Sequence, residues 1–313
     1  MTSASSRGRW GVLADPDPVR RQLALMARAE DASIEDVDPL LVAARDVDPT
    51  VRRLAVGVLE ELGDARALPV IVDALADEDP GVREAAQSAV REFRGEGALT
   101  PLLAGAVHDH VAVREWAIVG LRELRDPRAL DVLVSALDDP AAAVRRAAVV
   151  SLAYLRRSES AGPLAARLSD EDAGVRRVAI AALVRTWRPE LIGLVIARLS
   201  DDDWQVRVEA ATALGSAGAS SAVPELVGAL RDSRWQVVKA AIGALGLLSA
   251  RSSVLELLPL LASPTSDVRR AAAETLGQLK AASAVGGLRA TLADPDVEVR
   301  KTAARALAAI EGA

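Results

Sequence analysis

Apolar positions in this chain return on a fixed grid. The dipeptide Val-Arg stands at Val51-Arg52, Val82-Arg83, Val113-Arg114, Val144-Arg145, Val175-Arg176, Val206-Arg207, Val268-Arg269 and Val299-Arg300, at intervals of 31 residues, with Val237-Val238 filling the one remaining node. Counting from that Val as position 0, position 4 is always Ala: Ala55, Ala86, Ala117, Ala148, Ala179, Ala210, Ala241, Ala272 and Ala303. Position 8 is Leu in every copy except Val90. Apolar residues at 0, 4, 7 and 8 make one face of an α-helix. An acidic turn precedes each Val, as in "DEDPGV" and "ADPDVEV". Asp there caps free backbone N–H groups and suits the positive end of the helix dipole. Before the turn comes a second apolar segment, such as "ALPVIVDAL" or "AVPELVGAL", which predicts a further helix of about three turns. Each unit is thus a helical hairpin whose apolar face needs a neighbouring copy to cover it. Val19-Arg20, at a spacing of 32, reads as one earlier copy, with the acidic stretch Glu30 to Asp38 inserted after it.

The Asp-rich turn, the Val-Arg pair and the "AAxAL" helix, nearly undiluted in "DPDVEVRKTAARALAAI", resemble the HEAT repeat, in particular the HEAT-like class of the phycobilin lyases. The resemblance implies an all-α fold, a right-handed α-solenoid of about ten 31-residue hairpins. A single domain over 1–313 is expected, with 1–48 an irregular N-terminal cap and first repeat and 49–313 regular. It also implies that the first helix of each hairpin faces the convex side and the Val-Arg helix lines the concave side. The family serves many unrelated roles, so fold alone does not give function.

The helical wheel sorts the second helix. Positions 2, 6 and 9 point away from the stack, with −1, 3 and 10 on one flank and −2 on the other. The chain has only 5 Trp, 1 Tyr and 1 Phe, yet Trp116 falls at position 3, Tyr154 at position 10, and Trp204 and Trp235 at position −2 of consecutive copies, about 10 Å apart at the usual spacing of stacked helices. Tryptophan on a groove is a good anchor for a partner; the competing reading is that both indoles only cover the seam between copies. Position 2 reads Arg53, Glu84, Glu115, Arg146, Arg177, Val208, Lys239, Arg270 and Lys301, a mostly basic column suited to an acidic peptide or a phosphate-bearing chain, or else a solvated face of mixed charge. The candidate partner-binding residues are therefore Trp116, Tyr154, Arg177, Trp204, Val208, Trp235 and Lys239. Acids gather instead five before the Val, at Asp46, Asp77, Asp139, Asp170, Asp201, Asp232 and Asp294. With the Arg at position 1 they are expected to form a ladder of ion pairs that sets the register of the stack, each exposed pair contributing about 0–1 kcal/mol.

Half of the residues are hydrophobic but only 2% are aromatic, so the core is built from Ala, Val and Leu. The net charge of −6 argues against general affinity for nucleic acid or anionic membranes. Without Cys there is no disulfide framework and no thiolate ligand or nucleophile. No apolar run has the length of a signal peptide core or a membrane helix, so a cytoplasmic location is expected. Enzymatic relatives implied by the resemblance lack their residues here. Iron-binding hydroxylases carry repeated His-Glu pairs, and this chain has 2 His and no such pair. A glycosylase-like DNA groove would draw on Trp116, Trp204, Trp235 and Glu209, against the acidic balance. A phycobilin-lyase-like role would use an aromatic shelf flanked by Arg. His108-Asp109-His110 has the spacing of a weak metal pair but no further ligand, and it occupies a turn where sister copies hold Asp. Trp10, Val12 and Leu13 predict a short helix capping the N-terminal end, and Trp187 closes one second helix. The reading is a non-catalytic scaffold, without cofactor or metal, that binds a protein or extended peptide on its concave face, alone or with weak self-association.

Overall fold

The computed structural model describes residues 10–185 and 189–312; Trp187 lies outside the described residues. Contacts divide the chain into two units, 1–160 and 161–313. In the first unit the helices are α1 (Pro18–Arg28), α2 (Val37–Ala43), α3 (Pro49–Leu62), α4 (Leu68–Ala74), α5 (Pro80–Ala89), α6 (Glu96–Gly105), α7 (Val111–Leu124), α8 (Leu130–Ser135) and α9 (Ala142–Leu155). In the second they are α10 (Ala161–Ala166), α11 (Ala173–Arg185), α12 (Ile192–Ala197), α13 (Trp204–Ser216), α14 (Val223–Ala229), α15 (Trp235–Leu247), α16 (Val254–Leu257), α17 (Ser266–Gln278), α18 (Val285–Thr291) and α19 (Val297–Glu311). Among the described residues there is no strand. Each unit is a run of helical hairpins, an α-solenoid, in which long second helices alternate with short first ones.

The first helices are shorter than their apolar segments predict. Most are six or seven α-helical residues, extended by a 3₁₀ turn at one end or both, as at Ala65–Ala67 before α4 and Arg198–Ser200 after α12. The second helices begin where the sequence places them, because Asp48, Asp79, Asp172, Asp203 and Asp296 accept a hydrogen bond from the N–H at position 0.

Positions 0 and 4 are buried in all nine regular copies, and so are 7 and 8. Position 5 joins them, which the wheel omits: Val56, Ile118, Val149, Ile180, Ala211, Ile242 and Ala273 are buried. The reason is that second helices pack on each other as well as on first helices. Position 7 leans on the preceding copy, and the Ser151 and Thr275 hydroxyls donate to the position 5 carbonyls of Ile118 and Ile242. Position 9 faces the following copy. There Gly215 and Gly277 leave so little room that an added Cβ would lie 2.7–2.8 Å from Cα and Cβ of Ala244 and Ala306.

The ion-pair ladder is present, and it is more buried than an exposed-pair reading assumes. Five of the arginines at position 1 give Nε and Nη2 to the Asp at position −5 of the next copy and Nη1 to two carbonyls of their own turn. Arg52 reaches Asp77 at 2.7 Å through both nitrogens and donates to the carbonyls of Asp46 and Val47 at 2.8 and 3.1 Å. Arg114–Asp139, Arg176–Asp201, Arg207–Asp232 and Arg269–Asp294 repeat this at 2.7–3.0 Å. Side chains in these pairs keep only 3–17% of their exposure. In such a setting the geometry fixes register strongly, and removing one partner strands a desolvated charge.

The ladder also corrects the register of the first copy. Arg21, not Arg20, donates to Asp46 at 2.6 Å and to the carbonyls of Asp15 and Pro16, as Arg52 does one copy later. The spacing there is 31, and Val19 is a coincidental match that lies 54% exposed. Glu30–Asp38 is correspondingly no insertion. The 3₁₀ turn Ile34–Asp36, capped by Ser33, and the start of α2 stand where Ala65–Ala67 and α4 stand in the next copy. Ahead of α1 the chain makes a 3₁₀ turn, Gly11–Ala14, rather than a helix, and Trp10 is 2% exposed against it.

Candidate partner-binding face

Positions −1, 2, 3 and 6 of the second helices are never buried in any regular copy, and together they form one outer face in each unit. The aromatic residues divide cleanly around it. Trp10 and Phe93 are in the core at 2% exposure. Trp116 and Trp204 are half-buried, and Tyr154 and Trp235 are each 39% exposed. Apolar bulk in a core of Ala, Val and Leu has been placed at the surface of the second helices.

Three of these rings carry a cation. In the first unit the Arg91 guanidinium lies 4.6 Å from the centre of Trp116, and Arg122 and Arg125 lie 5.6 and 5.7 Å from that of Tyr154. In the second unit Lys239 Nζ is 5.7 Å from the centre of the Trp235 ring. A cation over a ring face is favourable by about 0.5–1 kcal/mol at an exposed site. It also holds an otherwise mobile basic head at a fixed place beside an apolar surface. Arg91, Arg122 and Arg125 are absent from the candidate residues read from sequence. The signal for the first two was available, since both occupy position 9 of the copy that precedes an aromatic one.

The cation on Trp235 is itself tied across the seam. Lys239 extends from the Trp235 ring to Asp267 of the following copy at 3.0 Å, where Arg270 also binds at 2.7 Å. Part of the basic column at position 2 is engaged in ion pairs. Lys239 and Arg270 share Asp267, and Lys301 pairs with Glu298 at 2.8 Å. Arg177 faces Glu209 of the next copy. Burial raises the Glu209 carboxyl above its ordinary value, and the Arg177 charge offsets this only in part. Val208 is half-buried, and its carbonyl accepts from the Thr212 hydroxyl at 2.9 Å.

Two hollows on this face lie away from the seven candidates. One of ≈ 390 Å³ is lined by Arg270, Glu274, Gln278, Thr302 and Arg305 of α17 and α19. Another of ≈ 570 Å³ is lined by Arg53, Leu54, Gly57, Glu84 and Ser88 of α3 and α5. Among the described residues no group of three or more His, Asp or Glu could hold a metal ion, and no helix is long and apolar enough to cross a membrane. His108 Nδ1 is engaged within its own turn, accepting from the His110 N–H at 3.0 Å.

The model of HEAT repeats matches the chain over 10–91, 37–122, 99–184, 192–258 and 254–313, which is nearly its whole length. This chain belongs to the HEAT-repeat family. Among solved structures it resembles Kap95p in its complex with RanGDP, at 15% identity and a TM-score of 0.67 over 99% of this chain and 48% of that one. Yeast importin-β, Kap95p, gives 14% and 0.64 over 98% and 49%. The chain thus spans about half the length of these importins. An engineered protein matches over 98% of both chains at 20% identity and a TM-score of 0.50. At such identities the likeness establishes the fold. No curated protein sequence matches this chain.

Proposed function

We propose that the protein is a non-catalytic interaction scaffold that holds a protein segment against the outer face of its second helices. The observation that carries this reading is the sorting of aromatics: apart from Trp10 and Phe93, every described aromatic stands on or beside that face at a half-buried or exposed position of a second helix, and three of the four hold a basic side chain against the ring. Trp and Tyr flanked by Arg is the composition of interface anchors. Helices in a stacked array lose little freedom on binding, which favours an extended ligand. Kap95p, which shares the fold, is solved with RanGDP and with Nup1. The HEAT-repeat match lends no support to a phycobilin-lyase role.

The segment that fits is apolar with acidic flanks, because Lys239, Arg91, Arg122 and Arg125 are the groups beside the rings. The test is affinity capture with the wild type, Trp204→Ala/Trp235→Ala, and Leu255→Ser, a change at an exposed residue of the first helix α16. A partner retained by wild type and Leu255→Ser, and lost from the double variant by about 2 kcal/mol or more of affinity, is the expected result. A partner lost only on Leu255→Ser sinks the assignment.

A further inference from the structure

Two seams of the ladder lack the acid, and they lack it differently. At one, position 1 is Val238 and position −5 of the next copy is Ser263, so both halves are gone together. At the other the arginine remains: Arg83 faces a copy whose position −5 is His108. Arg83 is still held as its sisters are, with Nη1 donating to the carbonyls of Asp77 and Glu78 at 2.7 and 2.8 Å. The His108 side chain also keeps the aspartate pose. Its Nδ1 accepts the N–H two residues on, as the Oδ1 atoms of Asp46 and Asp77 do, and its carbonyl accepts from Arg114. Only the bond across the seam differs. Among the described residues, Nε and Nη2 of Arg83 have no acceptor.

We infer that this rung is a site for an oxyanion, a carboxylate or a phosphate, supplied from outside the chain. With Nδ1 accepting, the neutral imidazole carries its proton on Nε2, so the ring is a donor at its free edge. The seam then presents the Arg83 fork, whose five sisters described above with the same two-carbonyl grip receive a carboxylate bidentately, opposite a turn where an imidazole that can donate stands in place of the carboxylate. Charge-assisted bidentate bonds are the strongest such a fork makes, and the grip on Nη1 means the fork is already oriented. His108 is exposed, so the site is open to solvent. The site lies at the inter-helix turns rather than on the outer face of the second helices, and it stands independently of the scaffold reading.

The test is an NMR titration of the full chain with sodium acetate and, separately, inorganic phosphate at constant ionic strength, following the Arg83 Nε–H and His108 side-chain signals. The companions are His108→Asp, which supplies the missing carboxylate from within, and Arg83→Gln. The expected result is saturable shifts in the wild type, at least about tenfold weaker in both variants, and a melting temperature of His108→Asp about 1–3 °C above wild type. Saturation by acetate identifies a carboxylate site; saturation by phosphate alone identifies a phosphate site. Shifts that fail to saturate, or that are the same in wild type and His108→Asp, overturn the proposal.

Discussion

Asp201→Ala should cost about 3 kcal/mol of stability, the largest loss expected from any single carboxylate of the second unit. Asp201 takes Arg176 Nε and Nη2 at 2.8 and 2.7 Å and the Asp203 N–H at 3.0 Å, and its side chain is only 3% exposed. Deleting it leaves a desolvated guanidinium and an unpaired turn N–H on one seam. Because each copy touches only its neighbours, the loss should concentrate there. Hydrogen exchange should show faster opening in α11 and α13 than in α17. Asp201→Asn keeps the acceptor for the turn but not the charge, and should recover part of the loss. Chemical denaturation midpoints within the error of wild type for both variants would contradict the ladder's role.

The same pairs set a pH dependence. Burial pushes the Asp201 carboxyl up, but the Arg176 hydrogen bonds, the Asp203 N–H and the charges of Arg176 and Arg198 outweigh it and hold the group below its ordinary value of 3.8. Asp77, Asp139 and Asp232 are lowered by the same balance, and Asp294 chiefly by its Arg269 bonds. A carboxyl depressed in the folded state contributes stability that is present above its unfolded value and is lost as pH falls through the folded one. Stability should therefore hold above about pH 4 and drop steeply below it, with a shallower drop in Asp201→Asn.

The second large effect is a reversal of sign between two glycines. On helix propensity alone Gly→Ala stabilises by about 1 kcal/mol. Gly243, exposed on α15 with nothing within 4 Å of a new Cβ, should follow that rule. Gly277→Ala should instead lose about 1–3 kcal/mol, since its Cβ would meet Ala306 Cβ and Cα at 2.7 and 2.8 Å and neither atom can swing aside. Thermal melts of the two single variants decide it; equal shifts in the same direction would mean that α17 and α19 are not so closely apposed.

Burial in the array was legible because positions 0, 4, 7 and 8 repeat nine times, so drift at one copy does not hide the column. The Arg–Asp ladder was legible for the same reason. Position 5 was not, since a wheel drawn for one hairpin shows contact with its own first helix and not with the next second helix. The first copy was misplaced by one residue because "DPVRR" offers two arginines, and only the grip on Asp15, Pro16 and Asp46 distinguishes Arg21 from Arg20. At the candidate face, the exposure of Trp116, Tyr154, Trp204 and Trp235 followed from their wheel positions. The arginines at the Trp116 and Tyr154 rings were missed because Arg91 and Arg122 come from position 9 of the preceding copy, a pairing that a wheel drawn for one helix does not show.

The central functional claim is that the outer face of the second helices receives the partner. Photo-crosslinking tests it most directly, with a crosslinking residue placed at Val208 on that face and, in a second protein, at Leu255 on the first-helix side. Crosslinks to one partner from position 208, absent from 255 and competed away by an acidic-flanked apolar peptide, are the predicted result. A partner joined through 255 and never through 208 would contradict it.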